Sequence, residues 1–290
     1  MTFVPWNSQP LDEWAGKHAP GKSIDLGGHR THYIERGDGS PLIFVHGFFY
    51  DTFMWHKNID TLAAKFKLYA FDLWGFGYST RESMDYGYSL YARQLLEFMD
   101  ALAIPKASFM GQSMGAGTII KFAVSHRDRL EKVILVDAAG MPNPLPLLGR
   151  IANLPLVGEL MYDLNSDLVR KVALRRNFIH DPAYITDSYF ENATRFHKIK
   201  GTSEVMLTIL RKRFFDTLLD EIHALGQMNR PTLIVWGRED RSIPVDRGQA
   251  MHRILTGSRF EILDHAGHCP QDEQSGSFNK LAVDFLSGGV

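Results

Sequence analysis

Short apolar runs alternate with amphipathic stretches along most of the chain. Ser23–Leu26 and Thr31–Arg36 flank Gly27 and Gly28, the pattern of a short hairpin. PLIFVHG (Pro41–Gly47) is a compact apolar run closed by glycine, which predicts a strand buried on both faces. A helical stretch is expected around Trp55–Lys65, and KLYAFDLWG (Lys67–Gly75) reads as a second buried strand. Leu90, Leu95, Phe98 and Leu102, with Met99 beside them, recur at helical spacing across Ser89–Leu102. Ala107–Met110 predicts a third strand, Ala116–Ser125 a helix and Lys132–Asp137 a fourth strand.

The pattern changes at Met141. From there to Gln227 the sequence reads as helical, with Pro142, Pro144 and Pro146 punctuating its entry. Strands resume at PTLIVWG (Pro231–Gly237) and RFEILDHAGH (Arg259–His268), separated by a helix over Asp246–Leu255 and followed by one over Phe278–Leu286. Strands alternating with helices predict an α/β class fold, a doubly wound, mostly parallel sheet covered on both faces. An all-helical insert of roughly 85 residues exceeds ordinary loop lengths and must form its own layer. The expected organisation is a core of residues 1–140 and 228–290, with a helical cap over 141–227.

Composition narrows the function classes. The net charge of −1 gives no global field to recruit nucleic acid or an anionic membrane. The single cysteine, Cys269, excludes an intrachain disulfide and leaves no cysteine framework for zinc. The first residues lack the apolar core of a secretory signal. No apolar run approaches the ~20 residues that span a bilayer. A cytoplasmic protein is therefore expected. No P-loop is present, and GFGYS around Gly75 and Gly77 lacks the third glycine of a dinucleotide fingerprint, so no nucleotide cofactor is expected.

Candidate chemistry centres on SFMGQSMGAG (Ser108–Gly117), where Gly111 and Gly115 frame Ser113 between a strand and a helix. A tight strand-to-helix bend needs glycine where neighbouring backbone comes close, and it lifts the serine hydroxyl out of the sheet. The bend also leaves the Met114 N–H at a helix start, facing developing negative charge. A serine needs a base, and the base needs an orienting acid. His268, in the loop after the last strand, is the best base, with His265 its nearest competitor. The pair in HAGH has no third ligand at metal-site spacing, so no metal is expected. Asp240 follows PTLIVWG and is the first choice of acid; Asp137 is the runner-up, and Asp72 reads as a turn-organising carboxylate. A second oxyanion donor is expected from the backbone N–H of Phe48, with His46 buttressing that loop. Phe49, Gln112 and Met141 are candidate pocket residues. Leu145, Leu147, Leu148, Leu154, Leu156, Leu160, Met161, Phe178, Phe190, Phe214 and Phe215 either pack the cap or face the pocket.

HGFF (His46–Phe49), DLWGFGYS (Asp72–Ser79), GQSMG (Gly111–Gly115), WGREDRSIP (Trp236–Pro244) and HAGHCPQDE (His265–Glu273), in that order, resemble the α/β-hydrolase superfamily. The resemblance runs from about Ser23 to Leu286. It implies an eight-stranded-type sheet with an inserted helical cap, a Ser113–Asp240–His268 triad, and an oxyanion hole of Phe48 and Met114. Haloalkane dehalogenases and epoxide hydrolases carry aspartate at the elbow, so Ser113 argues against both. Meta-cleavage-product hydrolases, which cut C–C bonds, typically show Asn before the serine and Trp after the histidine; this chain has Gln112 and Cys269. Proline iminopeptidases usually carry Trp where Met114 stands, and cofactor-free haloperoxidases usually lack so large a cap. The resemblance therefore implies first a capped carboxylesterase, forming an acyl-enzyme from a small or medium apolar ester without metal or cofactor. C–C hydrolysis is the alternative, and a noncatalytic ligand-binding homologue the third possibility.

Overall fold

The computed structural model describes residues 4–144, 153, 154, 156–159 and 167–288. Leu145, Leu147, Leu148, Leu160 and Met161 lie outside the described residues. Eight strands form one sheet: β1 (Lys22–Leu26), β2 (His29–Arg36), β3 (Pro41–Val45), β4 (Lys67–Phe71), β5 (Ala107–Gln112), β6 (Leu130–Val136), β7 (Thr232–Gly237) and β8 (Arg259–Leu263). Their order is β1-β2-β4-β3-β5-β6-β7-β8. Only β1–β2 and β2–β4 pair antiparallel; every later pairing is parallel. The mostly parallel, doubly wound sheet matches the sequence expectation.

All residues of β5 and β7 are buried, as the unbroken apolar runs require when helices cover both faces. Register carries this into function. Val45 sits beside Gly111, Gln112 beside Val136, Val136 beside Val235 and Gly237 beside Leu263. The carboxyl ends of β3, β5, β6, β7 and β8 therefore open along one rim, where open α/β sheets place their ligands.

Two local expectations differ from the structure. The helix expected over Trp55–Lys65 is a tight turn, Thr52–Trp55, followed by a helix over Ile59–Ala63. Asp51 caps the start of that turn by accepting from the Phe53 N–H at 2.9 Å. A helix over Leu11–His18 was not foreseen, because it buries only Trp14 and Ala15 and shows little periodicity. Its partner is the insertion between β6 and β7: the Trp14 indole donates to Arg195 O, and Gln9 bridges to Ile199.

Within that insertion the described residues form helices over Asp167–Ala173, Asp187–Thr194, Thr202–Lys212 and Leu219–Gln227, linked by shorter turns. Leu154 and Leu156 are exposed, whereas Phe190 and Phe214 are buried. Among the described residues no helix is long and apolar enough to cross a membrane.

Asp72 is the turn-organising carboxylate that its place after a strand suggests. Fully buried, it accepts from Thr52 N (2.8 Å), Tyr78 N (2.8 Å) and the His32 ring (2.7 Å). Burial is the largest single influence and raises its pKa, but the His32 charge and hydrogen bond, with His46 and the Tyr78 N–H, together outweigh it and hold the carboxyl below its ordinary value. Breaking a buried pair leaves one charge without its partner, at a cost of about 3–5 kcal/mol. Asp72→Asn is therefore expected to lose about that much stability in urea unfolding at neutral pH; a loss under about 1 kcal/mol would contradict the assignment.

Candidate active site

Ser113 occupies the single residue between β5 and the helix Met114–Ser125, with φ 51° and ψ −116°. A non-glycine residue at positive φ is strained and persists only when its surroundings hold it. Here Ser113 N–H donates to Val136 O at 2.9 Å, and Ser113 O accepts from Gly117 N and Ala139 N, each at 3.1 Å. The flanking glycines make the bend passable. A Cβ on Gly115 would collide with the Val45 and His46 carbonyls, and one on Gly111 would lie 2.7 Å from Ala116 N.

Asp240 and His268 converge from the loops after β7 and β8. His268 Nδ1 lies 2.6 Å from Asp240 Oδ2, so the proton on Nδ1 points at the carboxylate and Nε2 is left for other chemistry. Asp240 Oδ1 accepts from Ser242 N (2.7 Å) and Ile243 N (3.0 Å), which fixes the carboxylate plane. All three side chains are buried or nearly so. Among the described residues the Ser113 hydroxyl makes no hydrogen bond to His268; in substrate-free sites such contacts often tighten only when substrate binds. Neither the Phe48 N–H nor the Met114 N–H has a hydrogen-bond partner among the described residues, which leaves both free for an oxyanion. His46 holds the Phe48 loop: its Nε2 accepts from Leu73 N at 3.0 Å, so Nδ1 carries the proton toward Gly47 O at 2.8 Å.

Gln112 does something the sequence did not suggest. Its side-chain amide donates to His268 O at 2.6 Å, tying the residue before the serine to the backbone of the histidine. Fully buried, it forms a bridge inside the protein. The His268 N–H donates to Phe178 O at 2.7 Å, so the insertion grips the other side of the same residue. The Phe178 ring lies 5.8 Å from the His268 ring and stacks on Phe49 at 5.3 Å. Phe49 is buried with φ 77°, and His197 Nε2 donates to its carbonyl at 3.0 Å. Burial pushes the His197 pKa well below its ordinary value, so this imidazole is neutral. Met141 is buried where the chain leaves the core, and Cys269 is a buried thiol whose pKa burial pushes well up, which suppresses thiolate chemistry. Sequence spacing held no signal for Gln112, Phe178 or His197, because each acts through a contact made across the fold.

Asp137, at the end of β6, stands behind the pair. Asp137, Asp240 and His268 place one side-chain ligand atom each within 4.8 Å of one another. Burial first, and the Asp240 charge second, push the Asp137 carboxyl well above its ordinary range, so it keeps its proton. Its Oδ1 accepts from Gly237 N at 3.1 Å, while Oδ2 has no donor partner among the described residues and, protonated, becomes a donor toward Asp240.

The fold and this rim of loops define the class. A family profile described as the alpha/beta hydrolase fold matches residues 40–275. The chain belongs to the α/β-hydrolase family. The 2-hydroxy-6-oxo-6-phenylhexa-2,4-dienoate hydrolase of Comamonas testosteroni is 30% identical over 273 residues, covering 90% of this chain and 93% of its own. The meta-cleavage product hydrolase CumD of Pseudomonas fluorescens IP01 superposes with a TM-score of 0.79 at 26% identity, over 92% of this chain and 97% of that one. A thermophilic esterase from Thermogutta terrifontis, 22% identical over 92% of this chain and 98% of its own, shares the fold with a TM-score of 0.78.

A carboxyl whose folded pKa is raised contributes stability that is complete below its unfolded pKa and lost as pH rises through the folded value. Stability of the native chain should therefore fall relative to Asp137→Asn as pH rises from about 4. Urea unfolding of both proteins at several pH values reads this directly; parallel profiles would show that folding leaves the Asp137 pKa unchanged and would contradict the assignment.

Proposed function

We propose that this α/β-hydrolase uses Ser113 as nucleophile, His268 as base and Asp240 as orienting acid to cleave a carbon–carbon bond beside a ketone in a 2-hydroxy-6-oxo-dienoate. The observation that carries the reading is the likeness to the Comamonas testosteroni dienoate hydrolase, which runs through the insertion as well as the core. Carboxylester hydrolysis, the first expectation from the sequence, becomes the second reading. It is favoured by Gln112 and Cys269 where the C–C hydrolases typically carry Asn and Trp.

Both readings share the same steps at the protein. His268 Nε2 takes the Ser113 proton as the oxygen attacks the carbonyl carbon, and Asp240 stabilises the imidazolium that forms. The free N–H groups of Phe48 and Met114 receive the oxyanion; one such donor is worth roughly 3 kcal/mol. His268 returns its proton to the leaving group, an alkoxide for an ester or a conjugated carbanion for the dienoate. Water activated by His268 then releases the acid. Substrate is a small molecule, and no metal or cofactor takes part in these steps. The aromatic wall of Phe49 and Phe178 suits an apolar or aromatic acyl group.

Two measurements test the proposal. Bleaching of 2-hydroxy-6-oxo-6-phenylhexa-2,4-dienoate should show a higher kcat/KM than any p-nitrophenyl ester in a series of rising acyl length. The reverse ranking selects the esterase reading. Ser113→Ala and Asp240→Asn should each lower kcat by about 10⁴-fold or more on the preferred substrate. Activity within tenfold of the native chain in Ser113→Ala would remove the nucleophile assignment for either reaction.

A further inference from the structure

Three residues from separate parts of the chain meet beside the triad loops. His180 lies in the insertion, Glu239 in the loop after β7 and His265 in the loop after β8; each offers one ligand atom, and all lie within 4.8 Å of one another. We propose that His180, Glu239 and His265 bind one divalent cation of the zinc class, which pins the insertion to the loops carrying Asp240 and His268. Two imidazoles and one carboxylate form a donor set suited to zinc, with the fourth position left to water. Zinc-to-ligand bonds of about 2.0–2.2 Å put tetrahedral ligand atoms about 3.4 Å apart, so modest side-chain rotation closes the site.

The frame around the three side chains is already built. Glu239 accepts from Ala266 N through Oε2 at 3.0 Å, an outer-shell bond that orients the carboxylate. Glu273 holds the insertion segment by accepting from His180 N (2.8 Å) and Asp181 N (3.2 Å), and it holds the histidine loop by accepting from Gly267 N (2.7 Å). Gln274 donates to His265 O at 3.0 Å. His180 Nδ1 is buried and has no hydrogen-bond partner among the described residues, a cost that a ligand relieves. The sequence concealed this set, because the HAGH spacing pairs His265 with His268. In the fold His268 turns to Asp240, and His265 meets His180 and Glu239 instead.

The position gives the cation a role. Phe178 O, two residues before His180, accepts the His268 N–H, so a cation on His180 stiffens the segment that seats the histidine. The test uses the full chain stripped with chelator and titrated with zinc or magnesium, by calorimetry and by thermal unfolding. Zinc should bind one-to-one with a Kd on the order of 10⁻⁶ M or tighter and raise the melting temperature, whereas magnesium should do neither. His180→Ala and His265→Asn should each weaken zinc binding by about 100-fold, and Glu239→Gln by about 10-fold or more. His265 is exposed, so His265→Asn decides the question even if His180→Ala fails to fold. No saturable uptake at about 100 μM zinc overturns the site. So does uptake that survives His265→Asn but is lost in His268→Ala, which would move the cation to the triad. Binding is read without substrate, so its failure is separate from failure of the proposed hydrolysis.

Discussion

The structure depends on one close approach: the backbone of Gly115 against the carbonyl ends of β3. That contact lets the helix Met114–Ser125 start directly above the sheet, and it forces Ser113 into a positive φ that only surrounding hydrogen bonds can maintain. The strain is held by the neighbouring strand and its loop, through Val136 and Ala139, and by the helix itself, through Gly117. A serine on a relaxed turn would sit lower and would not share a rim with the loops after β7 and β8.

The second constraint is how the histidine is held. His268 is gripped through its backbone from two directions, by Gln112 in the core and by Phe178 in the insertion. Its ring is oriented by Asp240, and Asp240 is in turn fixed by two N–H groups and backed by the protonated Asp137. The insertion is thus part of the frame that holds His268. Tyr189 reinforces the same joint by donating to the buried Asp272 at 2.8 Å, next to the histidine loop.

Gln112 and Cys269 both belong to this frame. The Gln112 side-chain amide donates to His268 O, which ties β5 to the histidine loop. Cys269 packs in the interior beside the histidine.

The strands, the glycine-framed serine and the order Ser113, Asp240, His268 were legible in the sequence, because local periodicity and turn chemistry act over a few residues. Short Val, Ile and Phe runs bounded by turn residues predict buried strands, and a bend too tight for Cβ atoms demands glycine. The helix over Leu11–His18, the bridge from Gln112, the grip of Phe178 and His197, and the meeting of His180 with Glu239 and His265 were decided only in the tertiary structure. Each depends on groups far apart in the chain being brought within hydrogen-bond or ligand distance. That proximity is set by packing of the insertion on the sheet, which no local pattern encodes.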